Sequence, residues 1–158
     1  MSSTSEDFGV WIEALNGESD RGVAIVGCSY LDTMLGRILQ AFCAPNAAAA
    51  RLVIGIAAPL GSFSAKITAA HALGLVSEAE VRELDQLRRI RNEFAHQVDC
   101  ALSSPKVRKL LASLTAPMPT ENVSPRGRLT LSFAWITTRL IERMSLARFQ
   151  QRTEAPQL

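Results

Sequence analysis

The strongest constraint on the fold is the way capping and turn signals divide the chain into helix-length segments. Within these segments apolar residues recur at spacings of three and four, and no segment shows the apolar–polar alternation of a half-buried strand. Ser77 with Glu80 three residues later forms a capping box, and Ser-Pro pairs begin further segments at Ser104 and Ser124. The sequence therefore predicts an all-α fold, a single-domain bundle of about six helices.

The predicted helices belong to one domain, residues 1–150, followed by a flexible polar tail, residues 151–158. The helices cover about residues 6–16, capped by Ser5, and about residues 19–42, 63–73, 77–99, 105–114 and 125–150. The alanine-rich stretch 47–54 fits either a short helix or an irregular connector. In the second predicted helix the buried side is assigned to a stripe that includes Val26, and Gly22, Gly27 and Gly36 indicate close approach of a neighbouring backbone.

Charge is distributed unevenly along a chain whose net charge is only +2. Residues 1–103 carry 8 basic and 12 acidic side chains, whereas residues 104–158 carry 9 basic and 3 acidic ones. Fourteen of the 17 cations are arginine, a side chain suited to carboxylate and phosphate. The basic C-terminal third could make weak contact with DNA or RNA, although solvated helix faces explain it as well.

Several classes of protein are disfavoured by the sequence. The longest apolar run, 52–60, is too short to span a membrane, and the N-terminus does not resemble a secretory signal, so we expect a cytoplasmic protein without membrane contact. Three cysteines without a CxxC pair and two histidines without metal-ligand spacing predict neither a metal site nor a cofactor.

The most informative segment is the end of the fourth predicted helix. Its apolar stripe consists of Leu84, Leu87, Ile90, Phe94 and Val98. Arg91 falls within this stripe, so we expect its guanidinium to be buried and paired with a carboxylate. Glu18 and Asp20, at the start of the second helix, are the preferred partners, and Asp32 is the next candidate.

Arg88, Asn92 and His96 follow one another at four-residue steps on the neighbouring strip of the same helix. Arg91 and His96 diverge by about 140° on an ideal helix, so they can converge on one ligand only at a distorted helix end or across a subunit interface. His96 fits a helix-terminal structural role and a functional role equally. His71, within an alanine-rich helix, is expected to be structural.

Four segments resemble the mannitol operon repressor family in order and spacing. They are Glu18-Ser19-Asp20-Arg21-Gly22, Pro59-Leu60-Gly61-Ser62-Phe63-Ser64-Ala65-Lys66-Ile67, Ala72-Leu73-Gly74-Leu75-Val76 and Ile90-Arg91-Asn92-Glu93-Phe94-Ala95-His96. The resemblance implies an all-helical, cytoplasmic bacterial regulator of sugar-alcohol uptake. No helix-turn-helix is recognisable, so such a regulator would act mainly through protein–protein interaction, as a homo-oligomer or with a protein partner.

The residues Arg91, Asn92 and His96 also resemble the R-N-xxx-H signature of the HEPN superfamily, which includes metal-independent, toxin-like ribonucleases. Under that alternative these three residues are catalytic. The resemblance implies that His96 transfers a proton, Arg91 stabilises phosphate charge and Asn92 orients either group, commonly between two protomers. Whether the chain is an enzyme therefore stays open, and the interaction-module interpretation ranks first.

Overall fold

The fold was obtained as a computed structural model that describes residues 2–55, 57–119 and 122–156, and for residues 2–7 the backbone alone. Its described residues contain no strand and form seven helices: α1 (Ser2–Gly17), α2 (Asp20–Phe42), α3 (Ala47–Val53), α4 (Phe63–Ala72), α5 (Glu78–His96), α6 (Pro105–Ala112) and α7 (Pro125–Phe149). The all-α bundle predicted from the sequence is confirmed.

Four of the helices begin where a serine side chain accepts a hydrogen bond from a backbone N–H three residues later. The pairs are Ser19 with Gly22, Ser62 with Ala65, Ser77 with Glu80 and Ser124 with Gly127, at 3.0–3.4 Å. At α5 the bond is reciprocated, since the Glu80 carboxylate accepts from the Ser77 N–H at 2.6 Å. These local signals fixed the helix starts correctly, because each cap satisfies donors that the first helical turn leaves free.

Two helix boundaries near the start of the chain differ from the prediction. α1 begins at Ser2, so Ser5 lies inside the helix and does not cap it. The 47–54 segment, left open between helix and connector, is the helix α3. Asn46 caps α3 by accepting from the N–H groups of Ala48 and Ala49 at 3.1 and 3.2 Å, which explains the seventh helix.

α5 ends at His96, earlier than the predicted end near Asp99. Arg21 of α2 donates to the carbonyl oxygens of Gln97 and Val98 at 2.9 and 2.6 Å, and also to that of Phe94. The Arg21 guanidinium thus satisfies carbonyl oxygens at the C-terminal end of α5. The apolar stripe does not continue to Val98, whose side chain is 89% exposed.

α2 is the central helix, and it packs against α1, α3, α4, α5 and α7, most extensively against α7. Its buried side runs through Cys28, Leu31 and Leu35, whereas Val26, assigned to the buried stripe from the sequence, is exposed. Gly27 faces the ring of Phe133 on α7, and a Cβ at this position would lie 2.6 Å from that ring. The sequence predicted a neighbouring backbone at this glycine, which is wrong, because the close neighbour is the aromatic side chain of Phe133.

By length and composition α2 could also cross a membrane, with a mean hydropathy of 1.3 in its most apolar window. However, 56% of that window is buried inside the bundle, as in the core helix of a folded protein. The absence of a membrane span was predicted from residues 52–60 alone, and this absence stays a prediction.

Two carboxylates of α5 are buried in the bundle. Glu83 is fully buried and accepts from Thr115 Oγ1 and N at 2.8 and 2.6 Å, from Ala116 N at 3.3 Å and from Ser132 Oγ. Glu80 accepts from the Arg143 guanidinium at 3.0 and 3.1 Å. These bonds join α5 to α7 and to the loop before α7.

The C-terminal segment continues after α7 without regular secondary structure. Arg152 donates its N–H to Phe42 O at 2.8 Å, and its guanidinium lies over the Phe42 ring, 4.9 Å from the centroid. The Asn46 amide donates to Glu154 at 3.1 Å. The flexibility of the tail, residues 151–158, stays a prediction. Residues 157 and 158 lie outside the described residues. Two side chains of the tail contact the bundle.

Candidate functional site

An open cleft of about 550 Å³ lies between α2, the start of α4 and the C-terminal half of α5. Polar side chains make up most of its wall, which is formed by Cys28, Ser29, Asp32, Thr33, Gly61, Ser62, Phe63, Ser64, Arg88, Arg91 and Asn92. Two segments far apart in the sequence, Gly61–Ser64 and Arg88–Asn92, meet there. Both overlap stretches that carry the family resemblance.

Arg91 lies in the wall of this cleft and is exposed, so the expectation of a buried guanidinium is wrong. Its Nη1 donates to Asn92 Oδ1 at 3.1 Å, and no ion pair involves Arg91 among the described residues. Of the predicted partners, Asp20 pairs with Arg126 at 2.8 Å instead. Glu18 accepts from the same guanidinium through its backbone oxygen, and its carboxylate is in no described ion pair.

The third predicted partner, Asp32, pairs with Lys66 of α4 at 2.9 Å. Lys66 is buried, with only 6% of its surface exposed, so its ammonium needs this carboxylate. Gly36, one turn further along α2, packs closely against Val53 of α3, because a Cβ there would lie 3.0 Å from Val53 Cγ1. The Asp32–Lys66 pair therefore joins α2 to α4 beside the cleft.

Arg88 and Asn92 line the same side of the cleft, one helical turn apart on α5. Arg88 is held by Asp85, with Nη2 and Nε at 3.0 and 3.1 Å from the carboxylate. Asn92 accepts from Arg91 through its amide oxygen, which orients its NH₂ group away from that guanidinium.

The first turn of α4 closes the cleft opposite α5. Ser62 caps this helix through its bond to Ala65 N, and its carbonyl oxygen accepts from Lys66 N. Helix geometry leaves the N–H groups of Phe63 and Ser64 without intrahelical acceptors, at the positive end of the helix dipole. The Arg91 guanidinium on α5 and the positive end of the α4 dipole therefore both border the cleft.

Cys28 forms part of the cleft wall but is not a candidate nucleophile. It is 2% exposed, and its Sγ donates to Leu87 O at 3.4 Å. Burial raises the pKa of this thiol to about 12, despite the opposing effect of Arg91 and Arg88. A thiol with such a pKa is neutral at physiological pH, and the thiolate is the reactive form.

His96 does not line the cleft, although it lies five residues after Arg91 on the same helix. Its side chain is exposed at the end of α5. Within one protomer the structure therefore brings together Arg91 and Asn92 of the three motif residues, and leaves His96 outside. His71 contacts Val76 O at 3.2 Å through Nδ1 and Glu78 at 3.4 Å through Nε2, as a structural residue at the α4–α5 turn would.

Among the residues that the structure describes, no group of three or more histidine, cysteine, aspartate or glutamate side chains could hold a metal ion. The fold and the cleft define a general class: an all-α, single-domain helical bundle with an open cleft whose lining residues are mostly polar. The chain matches no protein-family model, and searches against curated proteins and solved structures find no significant similarity. The two family resemblances therefore stay predictions.

Most residues of the cleft were not predicted from the sequence. Ser29 and Thr33, one turn apart on the otherwise apolar α2, were a detectable signal, because polar residues at this spacing share a face. The strip of Arg88, Asn92 and His96 was recognised, and two of its three members line the cleft. No sequence signal joined that strip to Ser62 and Ser64, since the contact is tertiary.

Proposed function

We propose that the chain is a regulator of the mannitol operon repressor type, a cytoplasmic bacterial protein that acts mainly through protein–protein interaction. One observation carries the proposal: the cleft contains Arg91 and Asn92 but not His96, and its carboxylate, Asp32, is engaged by Lys66, so it offers binding groups without a free proton-transfer group. Such a site recognises a molecule without transforming it.

The basic C-terminal third also supports an interaction module over a nucleic-acid binder. Arg126 pairs with Asp20, and Arg143 pairs with Glu80, so two of its arginines hold helices of the bundle together. Arg139 pairs with Glu142 on its own helix at 3.3 Å. Cations that are neutralised by neighbouring carboxylates release few counterions from DNA, so these three arginines would add little to DNA binding.

The test is incubation of the purified protein with mixed single-stranded RNA in EDTA, alongside the His96→Ala variant. We expect no cleavage above background by either protein. His71→Ala is the matched control, because it removes the other histidine of the chain. Cleavage by the wild type and His71→Ala, lost in His96→Ala, would refute the proposal.

A metal-independent ribonuclease of the HEPN type is the second candidate, and one observation favours it. Arg91 is exposed and outside any described ion pair, so its guanidinium is available to an RNA phosphate. His96 would then have to come from a second protomer, with each composite site containing Arg91 of one chain and His96 of the other.

Mixing variants tests the composite site directly. Arg91→Ala and His96→Ala would each be inactive alone, but a heterodimer of the two variants contains one intact pair. Recovery of RNA cleavage on mixing would establish the ribonuclease, whereas no recovery after verified subunit exchange would exclude a site shared in this way.

A further inference from the structure

The cleft contains more hydrogen-bonding groups than the fold uses. Asp32 and Lys66 join two helices, and Arg88 is held by Asp85. Arg91, by contrast, makes a single described hydrogen bond, to the neighbouring Asn92. Its guanidinium has five N–H donors, so most of its donor capacity faces the cleft or the solvent.

The charges in the cleft wall predict whether a bound molecule is an anion or a cation. Lys66 neutralises Asp32, and Asp85 neutralises Arg88, so these two pairs contribute little net charge to the cleft wall. Arg91 adds one positive charge, and the first turn of α4 adds the positive end of a helix dipole. The molecule that fits is an anion, and a planar guanidinium binds phosphate oxygens in a bidentate manner.

The other residues in the cleft wall indicate which groups the ligand carries besides its anionic group. The Ser29 and Thr33 hydroxyls donate to the carbonyl oxygens of Ile25 and Ser29 at 2.9 and 3.0 Å. With the Asp32 carboxylate they offer acceptors to ligand hydroxyl groups, and the Ser64 hydroxyl can also donate. Phe63 is the single aromatic residue among the described residues of the wall, so the cleft has little surface on which successive nucleic-acid bases could stack. A volume of about 550 Å³ lies within the range of small-molecule sites.

We propose that this cleft binds a small phosphomonoester carrying several hydroxyl groups, with its phosphate at Arg91 and the first turn of α4 and its hydroxyls toward Asp32 and Ser29. The role of this ligand rests on the proposed regulatory function, because a regulator binds a molecule as a signal without transforming it. Its binding to the cleft would be the event that changes the contacts of the regulator with its partner.

Isothermal titration calorimetry of the full chain at pH 7.5 and low salt tests the proposal, with glucose 6-phosphate, inorganic phosphate and glucose as probes. We expect glucose 6-phosphate to bind one site per chain with a Kd of about 1 mM or tighter, as two or three charge-assisted hydrogen bonds allow. Inorganic phosphate should bind more weakly, and glucose should not bind.

Arg91→Gln should weaken glucose 6-phosphate binding by about tenfold or more, because it removes the charge and the guanidinium fork. Arg89→Gln is the matched control. Arg89 is exposed on the same helix and does not line the cleft, so its replacement should leave the Kd unchanged. Circular dichroism of both variants shows whether each is folded.

Three outcomes overturn the assignment. They are no heat of binding with the folded wild type up to 10 times the expected Kd, equal affinity for glucose 6-phosphate and inorganic phosphate, and equal weakening by Arg91→Gln and Arg89→Gln. Displacement of glucose 6-phosphate by a short RNA of far higher affinity would also overturn it, in favour of a phosphodiester. RNA cleavage in EDTA refutes the regulatory function separately, because it does not depend on these titrations.

Discussion

Two polar clusters on α5 differ in how completely their hydrogen bonds are satisfied. At the N-terminal half, Glu83 is fully buried and accepts four hydrogen bonds from the loop before α7 and from α7 itself. At the C-terminal half, Arg91 is exposed in an open cleft and bonds only its neighbour Asn92. The first cluster holds the fold together, and the second is available for a ligand.

Mutation of the two charged residues should separate these roles most clearly. Glu83→Ala leaves donors of Thr115, Ala116 and Ser132 buried without an acceptor, and should lower the free energy of unfolding by about 3 kcal/mol. Arg91→Ala, on the same helix, should change it by less than about 0.5 kcal/mol. Urea unfolding followed by circular dichroism measures both, and equal losses would contradict the distinction.

The end of α5 should show a smaller effect. Arg21→Ala removes the guanidinium that bonds the carbonyls at this helix end, and should cost about 1–2 kcal/mol of unfolding free energy. Hydrogen exchange should accelerate in the last turn of α5 before it does elsewhere. Arg89→Ala on the exposed side of α5 provides the control, and matching exchange profiles for the two variants would show that Arg21 does not hold this end.

The smallest effect concerns Cys28, which lies between the cleft and the core. Burial raises the pKa of its thiol from 9.0 to about 12, so the unfolded chain loses this proton at lower pH than the folded one. Stability is therefore retained below pH 9 and falls as the pH rises toward 12, by at most about 1.4 kcal/mol per pH unit from this group. Urea unfolding at pH 8, 9 and 10 should show a shallower decline for Cys28→Ala, and parallel curves would disprove the contribution.

The sequence predictions were correct where the interacting residues lie close together in the chain and wrong where they lie far apart. Helix starts at Ser19, Ser62 and Ser77 were predictable because a cap is formed by residues three positions apart. The end of α5 was misplaced because it depends on Arg21, more than seventy residues earlier in the chain. No local pattern contains that contact.

The error at Arg91 has a geometric explanation. On a helical wheel, Glu83 lies about 30° from the centre of the stripe formed by Leu84, Leu87, Ile90 and Phe94, whereas Arg91 lies about 50° away on the other side. The more central charge is the buried one. Periodicity located the apolar face but could not show that α4 leaves its Arg91 flank open.

The packing of α2 against α7 affects how the protein is made on the ribosome. Residues 20–42 are translated early, yet their most extensive partner, residues 125–149, is translated only after the other six described helices. Until then the space filled by Phe133 against Gly27 is vacant, and apolar surface of α2 is exposed. Exposed apolar surface makes such a nascent chain prone to aggregation, and the packing of the bundle can be completed only after α7 has left the ribosome.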